Sequence, residues 1–305
     1  PKSALIHSWR GVNEGMQPGE SLLKAVRNGY QTILSNGYYI DLMLSVDEHY
    51  LVDPMPAQEL STEEKSRILG GEATMWSELV TPLTIDTRIW PRTAAIAERF
   101  WSDQKMRDLD DMHRRLDRIS QKLEGVGSRH LQVRDYLFRN IANYQDTRAL
   151  KDLADISEPF NIYSRNRGGT EYQVYSPFTL FADACTADAA DRRPFKKRVE
   201  AYVSGNKSEE KAVLMGYFEK WRSIYGRLQL IENEAPLVQV TLPYAKRVRD
   251  ICAIMLEGLE NGSLTSLEYG ELKGLLDEVD DPKLNLDVDL AVEEDVLLLA
   301  SQLAK

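Results

Sequence analysis

One stretch of the sequence, residues 70–101, constrains the fold of this chain more than any other. Its first part, residues 70–78, opens on two glycines and predicts a short strand that ends in Trp76 and Glu78. A loop follows, and Pro91 then predicts the first turn of a helix, where the N–H that proline lacks is not needed. Three alanines in that helix leave a face flat enough to lie close against a sheet. The stretch therefore predicts a strand, a loop and a helix that packs on the strand.

Trp76 and Glu78 suggest a binding site at the end of this strand. Residues two apart in an extended strand point to the same side of the sheet, so we expect this indole and this carboxylate to lie side by side. A sugar ring has apolar C–H faces and equatorial hydroxyls, which suit a stacking surface beside a hydrogen-bonding carboxylate. The alternative is a core tryptophan next to an ion-paired glutamate, and these two residues alone favour neither interpretation.

The hundred residues before position 104 alternate between strand and helix patterns. Residues 4–9 predict a buried strand that ends in Trp9, residues 20–28 predict a helix, and residues 30–34 predict a second strand. Together with residues 70–101, this order is typical of parallel βαβ units. Functional residues of such units lie at the carboxyl ends of the strands, where the loops are.

Tyr39 and Asp41 form a second polar pair, two positions apart, at another presumed strand end. They combine a hydroxyl with a carboxylate, which can hold substrate hydroxyls or an amide oxygen. Taken alone, the pair favours a structural interpretation, in which the tyrosine is satisfied within the fold and the aspartate caps a helix.

Helical periodicity dominates the remainder of the chain. Apolar residues recur at intervals of three and four, first in a long amphipathic helix soon after residue 103 and then in four later helices. These stripes predict a packed core rather than a cofactor site. Between them, residues 157–195 are irregular, with one short strand predicted at 172–175. We predict two domains: an α/β domain of residues 1–103, and a mostly helical region of residues 104–305.

Composition and spacing exclude several classes of function. The net charge of −10 is opposite in sign to that of general nucleic-acid and anionic-membrane binders, and no apolar run reaches the length of a membrane span. Cys185 and Cys252 are too few for a disulfide framework, although they could form one bridge. The nine carboxylates between Asp277 and Asp295 lack EF-hand spacing and predict a solvated surface. We therefore predict no nucleic acid, no membrane span, no metal and no cofactor.

The stretch that opened this section resembles the last strand and helix of the catalytic barrel of glycoside hydrolase family 20, the β-N-acetylhexosaminidases. Members of that family carry Gly-Gly-Glu-Ala-x-Met-Trp-x-Glu, then Arg-x-Trp-Pro-Arg, then Ala-x-Ala-Glu-Arg-x-Trp. Here these motifs are residues 70–78, 88–92 and 95–101. The family's preceding strand carries Tyr-x-Asp, which Tyr39 and Asp41 match.

The resemblance covers about residues 1–103 and implies the last three strands of an eight-stranded TIM (β/α)8 barrel, followed by a C-terminal helical region. Three βα units alone would expose unpaired strand edges, which folded proteins avoid. We therefore expect the chain to be a piece of something longer, and the N-terminal half of the barrel, in the same or a second chain, to be its partner. The family also suggests an extracytoplasmic protein, periplasmic or secreted.

The resemblance also assigns roles to five residues. It implies that Tyr39 is catalytic and donates a hydrogen bond to the acetamido oxygen of an N-acetylhexosamine. It implies that Asp41 and Glu78 bind sugar hydroxyls, that Trp76 forms a wall of the acetamido pocket, and that Trp9 belongs to the same aromatic pocket.

One part of the family's machinery has no match here. Family members cleave by a substrate-assisted, retaining route, in which an adjacent Asp-Glu pair after His-x-Gly-Gly orients the acetamido group and protonates the leaving oxygen. The Asp-Glu pairs to consider are Asp47–Glu48, predicted in a loop, and Asp277–Glu278, in the helical tail, and neither follows two glycines. We reject both as the catalytic pair, and we expect that pair to lie in a missing N-terminal part.

The leading hypothesis is a C-terminal segment of a β-N-acetylhexosaminidase that hydrolyses terminal N-acetylhexosamine from glycoconjugates or chitooligosaccharides. The intact barrel would be a glycosidase, and this chain alone would be inactive. The alternative is a non-catalytic carbohydrate-binding or interaction module on a partial barrel.

Overall fold

The structure is a computed structural model in which the chain forms two compact units, Pro1–His130 and Leu131–Lys305. Each unit has its own core of buried apolar side chains. The residues that the structure describes are 3–11, 16, 19–55, 60–77, 79–162, 164, 180–279 and 286–304.

A three-stranded parallel sheet organises the first unit. Its strands are β1 (Leu5–Ser8), β2 (Gln31–Leu34) and β3 (Ile68–Gly71), and they lie in the order β1-β2-β3. Helix α1 (Glu20–Arg27) connects the first two strands, as the strand and helix patterns predicted. The prediction of parallel βαβ units is thus confirmed for this part of the chain.

One face of this sheet is packed and the other is open. Leu34 and Ile68 pack with Leu22 of α1 in a buried apolar cluster. On the opposite face, Leu5 is 51% exposed and Leu69 is 52% exposed. The other helices of the unit are α2 (Val46–Leu51), α3 (Thr62–Ser66), α4 (Ile85–Ile89), α5 (Arg92–Trp101) and α6 (Leu109–Gly125).

Two local predictions for this unit were wrong. The strand predicted for residues 70–78 ends at Gly71, and Ser77 has φ +69°, so the chain is not extended up to Glu78. Trp76 therefore does not lie in the extended strand that would place its side chain on the same side as that of Glu78. Asp47 and Glu48, predicted in a loop, lie in the first turn of α2, because Ser45 and Glu48 form a capping box.

The second unit is mostly helical, as predicted, and also contains a small antiparallel sheet of β4 (Ser157–Pro159) and β5 (Val288–Leu290). The strand predicted at 172–175 lies outside the described residues. Cys185 and Cys252 are buried and free, so they form no bridge. The helices are α7 (His130–Ile141), α8 (Arg148–Ala154), α9 (Leu180–Ala184), α10 (Arg192–Val203), α11 (Lys207–Gln229), α12 (Leu242–Asn261), α13 (Ser266–Val279) and α14 (Glu293–Leu303), with a 3-10 helix at Pro236–Thr241.

Helix α6 packs in the first unit, where its Met112 and Leu116 share a buried cluster with Tyr50 and Ala95. The predicted domain boundary after residue 103 marks the end of the catalytic barrel in the sequence, and it stays a prediction.

None of the helices in the described ranges combines the length and the apolar character that crossing a bilayer requires.

Candidate functional site

The segments that follow β2 and β3 run side by side beyond the strand ends. Tyr39 and Thr74 form an isolated parallel bridge. The Ile40 N–H donates to the Thr74 carbonyl at 3.0 Å, and the Thr74 N–H donates to the Tyr38 carbonyl at 2.9 Å. This pairing brings the polar residues after β2 next to the residues after β3, at the carboxyl end of the sheet.

The Asp41 carboxylate joins these two segments. Its Oδ2 accepts hydrogen bonds from the main-chain N–H groups of Trp76 and Ser77, both at 2.7 Å. The residue is fully buried, and its Oδ1 has no hydrogen-bond partner in the described part of the chain. Burial raises the pKa of the Asp41 carboxyl above its ordinary value, and the two amide hydrogen bonds and the charge of Arg92 offset only part of this rise. Asp41 thus has one fixed oxygen and one that is still able to accept.

Tyr39 is linked to the residue that follows β1. Its hydroxyl donates to the main-chain carbonyl of Trp9 at 3.1 Å, and the same carbonyl accepts a bond from Asn36 Nδ2 at 3.2 Å. The Trp9 side chain is 42% exposed and that of Trp76 is 62% exposed. Four of the five predicted site residues, Trp9, Tyr39, Asp41 and Trp76, are therefore connected in two pairs at one end of the sheet.

The fifth predicted residue, Glu78, lies outside the described residues. Its role as a second hydroxyl-binding carboxylate stays a prediction.

A polar cluster at the ends of all three strands was not predicted. His7 Nε2 lies 2.5 Å from Glu72 Oε1, and the Ser35 hydroxyl donates to the same oxygen at 2.9 Å while also contacting His7 Nε2. These contacts place the cluster on the open face of the sheet, which His7 shares with Leu5 by strand alternation. The signal in the sequence was a polar residue near or just after the end of each of three consecutive strands.

The two Asp-Glu pairs that we rejected as catalytic are engaged in local structure. Asp47 Oδ1 lies 2.6 Å from His113 Nε2 of α6, and Glu48 accepts from the Ser45 N–H at 2.8 Å. In the second unit, Glu278 forms an ion pair with Arg247 at 3.3 Å.

His49 supports the loop that carries Tyr39. Its Nδ1 lies 2.7 Å from the Gly37 carbonyl, which can only accept, so Nδ1 carries the proton of a neutral imidazole. Its Nε2 is buried and has no partner among the described residues. Burial, helped by the charge of Arg92, lowers the pKa of His49 to about 3.

This pKa predicts a pH dependence of stability. In the unfolded chain His49 takes up a proton below its ordinary value of 6.5, but in the folded chain only near 3, so stability falls as the pH is lowered between these values. We expect the free energy of unfolding to depend less steeply on pH in His49→Gln, by up to about 1.4 kcal/mol per pH unit, because the unfolded variant takes up one proton fewer. Urea unfolding of both proteins at pH 6.5, 5.5 and 4.5 measures the difference, and identical slopes would contradict the prediction.

Comparisons with known proteins agree with the resemblance found in the sequence. The family model described as "Glycosyl hydrolase family 20, catalytic domain" matches residues 1–104. Among curated proteins, the human β-hexosaminidase subunit beta is 35% identical over 102 residues, which are 32% of this chain and 18% of that protein. The bovine β-hexosaminidase subunit alpha is 37% identical over 119 residues, which are 37% of this chain and 22% of that protein.

A solved structure extends the similarity to nearly the whole chain. The X-ray structure of a Flavobacterium johnsoniae chitobiase matches with a TM-score of 0.90 and 48% sequence identity, over 97% of this chain and 45% of that one. The chain spans about a fifth of the curated relatives and less than half of the chitobiase. The similarity to glycosyl hydrolase family 20 thus covers residues 1–104 by the model of its catalytic domain.

Proposed function

We propose that this chain is the C-terminal part of a β-N-acetylhexosaminidase, which removes terminal N-acetylhexosamine from glycans by a substrate-assisted, retaining mechanism. In this proposal the chain supplies the acetamido pocket and the hydroxyl-binding groups. The acid pair lies in the N-terminal half of a TIM barrel, of which these residues form the last three βα units.

The observation that carries this proposal is the linkage of Trp9, Tyr39, Asp41 and Trp76 at the carboxyl end of a parallel sheet. Active sites of TIM-barrel enzymes lie at this end of the strands. The exposed indole of Trp76 offers a surface for the apolar side of a sugar. Asp41 Oδ1 is buried without a partner among the described residues, so it accepts a sugar hydroxyl only once the residues that cover it move aside.

The open face of the sheet supports the N-terminal half of the barrel as the partner. Strands β1 and β3 each pair with one neighbour among the described strands, which leaves one edge of each available. Leu5 and Leu69, both more than half exposed, lie on the face that further strands would cover in a closed barrel.

Tyr39 would orient the group that attacks during cleavage. When the acetamido oxygen attacks the anomeric carbon, the bond to the leaving group breaks and positive charge spreads over the closing ring. A tyrosine hydroxyl that donates to the acetamido oxygen holds this group in the attacking orientation. The single proton of Tyr39 points to the Trp9 carbonyl, so the hydroxyl must rotate towards substrate, and the bond from Asn36 then keeps that carbonyl satisfied.

The proposal predicts complementation. We expect no turnover of an aryl N-acetylglucosaminide by the 305-residue chain, because the proposed acid pair is elsewhere. We expect turnover from a chimera that joins this chain to the part of the Flavobacterium johnsoniae chitobiase it does not cover, since the chain is 48% identical to that structure. Release of the aryl group, measured by absorbance, reports both results.

The chitobiase part alone is the control and is expected to be inactive. Turnover by the 305-residue chain alone would mean that the acid has been misplaced. Calorimetry with the thiazoline analogue of N-acetylglucosamine separates the alternative function. A chimera that binds the analogue but does not turn over substrate would favour a carbohydrate-binding module.

A further inference from the structure

We propose that Arg92 is a positioning residue for Asp41, and that its guanidinium fixes the turn from which the Asp41 carboxylate projects. The assignment rests on the proposed function only in that Asp41 there binds the hydroxyls of the sugar. The contacts of Arg92 themselves involve no substrate.

Arg92 reaches the main chain on both sides of Asp41. It is the first residue of α5 and is 4% exposed. Its Nη2 donates to the carbonyl of Ile40 at 2.6 Å and to that of Arg88 at 2.8 Å, while its Nη1 donates to the carbonyl of Leu44 at 2.5 Å. Ile40 directly precedes Asp41, and Leu44 follows three residues later, so the fork spans the turn.

This turn needs such support because of its backbone conformation. Met43 has φ +57°, a left-handed conformation that costs a residue with a side chain about 1 kcal/mol or more. Of the carbonyls that accept from Arg92, those of Ile40 and Leu44 lie on either side of Met43 in the sequence. A planar guanidinium can bond splayed carbonyls at once, whereas a lysine ammonium at this position is shorter and has no fork.

Arg92 affects the candidate site through the Asp41 carboxylate. Its Oδ2 is fixed on the other side by the N–H groups of Trp76 and Ser77, and Ser77 is itself left-handed. If the turn relaxes, the carboxylate moves and these two bonds weaken. The charge of Arg92 acts in the same direction, because it lowers the pKa of an Asp41 carboxyl that burial raises.

Arg99 provides a matched control on the same helix. It is 3% exposed, and it donates to the main-chain carbonyls of Met106 at 2.7 Å and Asp103 at 3.4 Å. Its carbonyl partners lie outside the turn around Asp41. Arg92→Lys and Arg99→Lys therefore both disturb a buried arginine of α5, but only Arg92→Lys should affect Asp41.

The test measures hydrogen exchange of the Trp76 and Ser77 amides by NMR in the 305-residue chain. We expect Arg92→Lys to speed exchange of both amides at least about tenfold relative to the rest of the sheet, which corresponds to about 1.4 kcal/mol. Asp41→Ala sets the upper limit, because it removes the acceptor. Arg99→Lys is expected to leave the two amides within twofold of the unsubstituted chain. Unchanged protection in Arg92→Lys would overturn the proposal.

A second measurement needs no variant. Held by three carbonyls, the Nη protons of Arg92 are expected to exchange at least about tenfold more slowly than those of exposed Arg118. Equal rates would overturn the proposal even if Arg92→Lys failed to fold.

Activity of the chimera distinguishes positioning from a general loss of structure. We expect the loss of kcat/KM caused by Arg92→Lys to shrink in an Asp41→Ala background, because the two changes act on one group. The loss of kcat/KM caused by Arg99→Lys is expected to be the same with and without Asp41→Ala. Strict additivity for Arg92 would contradict the proposal, whereas an inactive chimera with altered amide exchange would count against the proposed function alone.

Discussion

Replacing Tyr39 with phenylalanine is expected to lower kcat of the chimera about 10²-fold, the scale of loss when a reacting group is no longer held in its attacking geometry. KM should change little, because the hydroxyl serves the attacking acetamido group more than ground-state binding. The ring stays in place and only the hydroxyl is lost, together with its bond to the Trp9 carbonyl at 3.1 Å. Steady-state kinetics with an aryl N-acetylglucosaminide measure the split.

Tyr38 offers a neighbouring control. It is fully buried, and its hydroxyl donates to the Val52 carbonyl at 3.0 Å, away from the Trp9 and Asp41 contacts. Tyr38→Phe is expected to lower stability by about 1 kcal/mol, as for a lost buried hydrogen bond, with kcat unchanged. If Tyr39→Phe and Tyr38→Phe reduce kcat equally, Tyr39 has no special role in the chemistry.

The order of elements in the first unit could be predicted because it depends on local patterns. Short apolar runs, helical periodicity and turn residues lie close together in sequence, and β1, α1 and β2 follow them. The error at residues 70–78 has a physical cause. There the Trp76 and Ser77 amides bond to the Asp41 side chain instead of continuing the strand pairing.

Contacts of side chains with the main chain account for part of what the sequence missed at the candidate site. Main-chain groups are the same at every position, so no residue pattern marks the Trp9 carbonyl as an acceptor for Tyr39 and Asn36. The same holds for Arg92, which donates to the main-chain carbonyls of Ile40, Arg88 and Leu44. The spacing of Tyr39 and Asp41 predicted a polar pair after a strand, but not the main-chain groups to which each side chain bonds.

Stability of the second unit is expected to depend strongly on Trp221. This side chain of α11 is 1% exposed, lies edge-on to Phe195 with ring centroids 4.8 Å apart, and donates from its indole N–H to Asp191 Oδ2 at 2.9 Å. Trp221→Ala removes the largest fully buried side chain of the described residues, and we expect it to lower the unfolding free energy by about 3–5 kcal/mol. Urea unfolding followed by far-UV circular dichroism measures the change.

Two further variants divide this effect into its parts. Trp221→Phe keeps most of the packing but removes the N–H donor, and Asp191 retains its bond from Lys220 Nζ at 2.9 Å, so a loss of about 1–2 kcal/mol is expected. Leu267→Ala, on α13 of the same unit, removes a side chain that is 81% exposed and should change stability by less than about 0.5 kcal/mol. If the packing of Trp221 stabilises the unit, its removal must cost more than the removal of an exposed leucine. A loss from Trp221→Ala no larger than that from Leu267→Ala would therefore contradict the prediction.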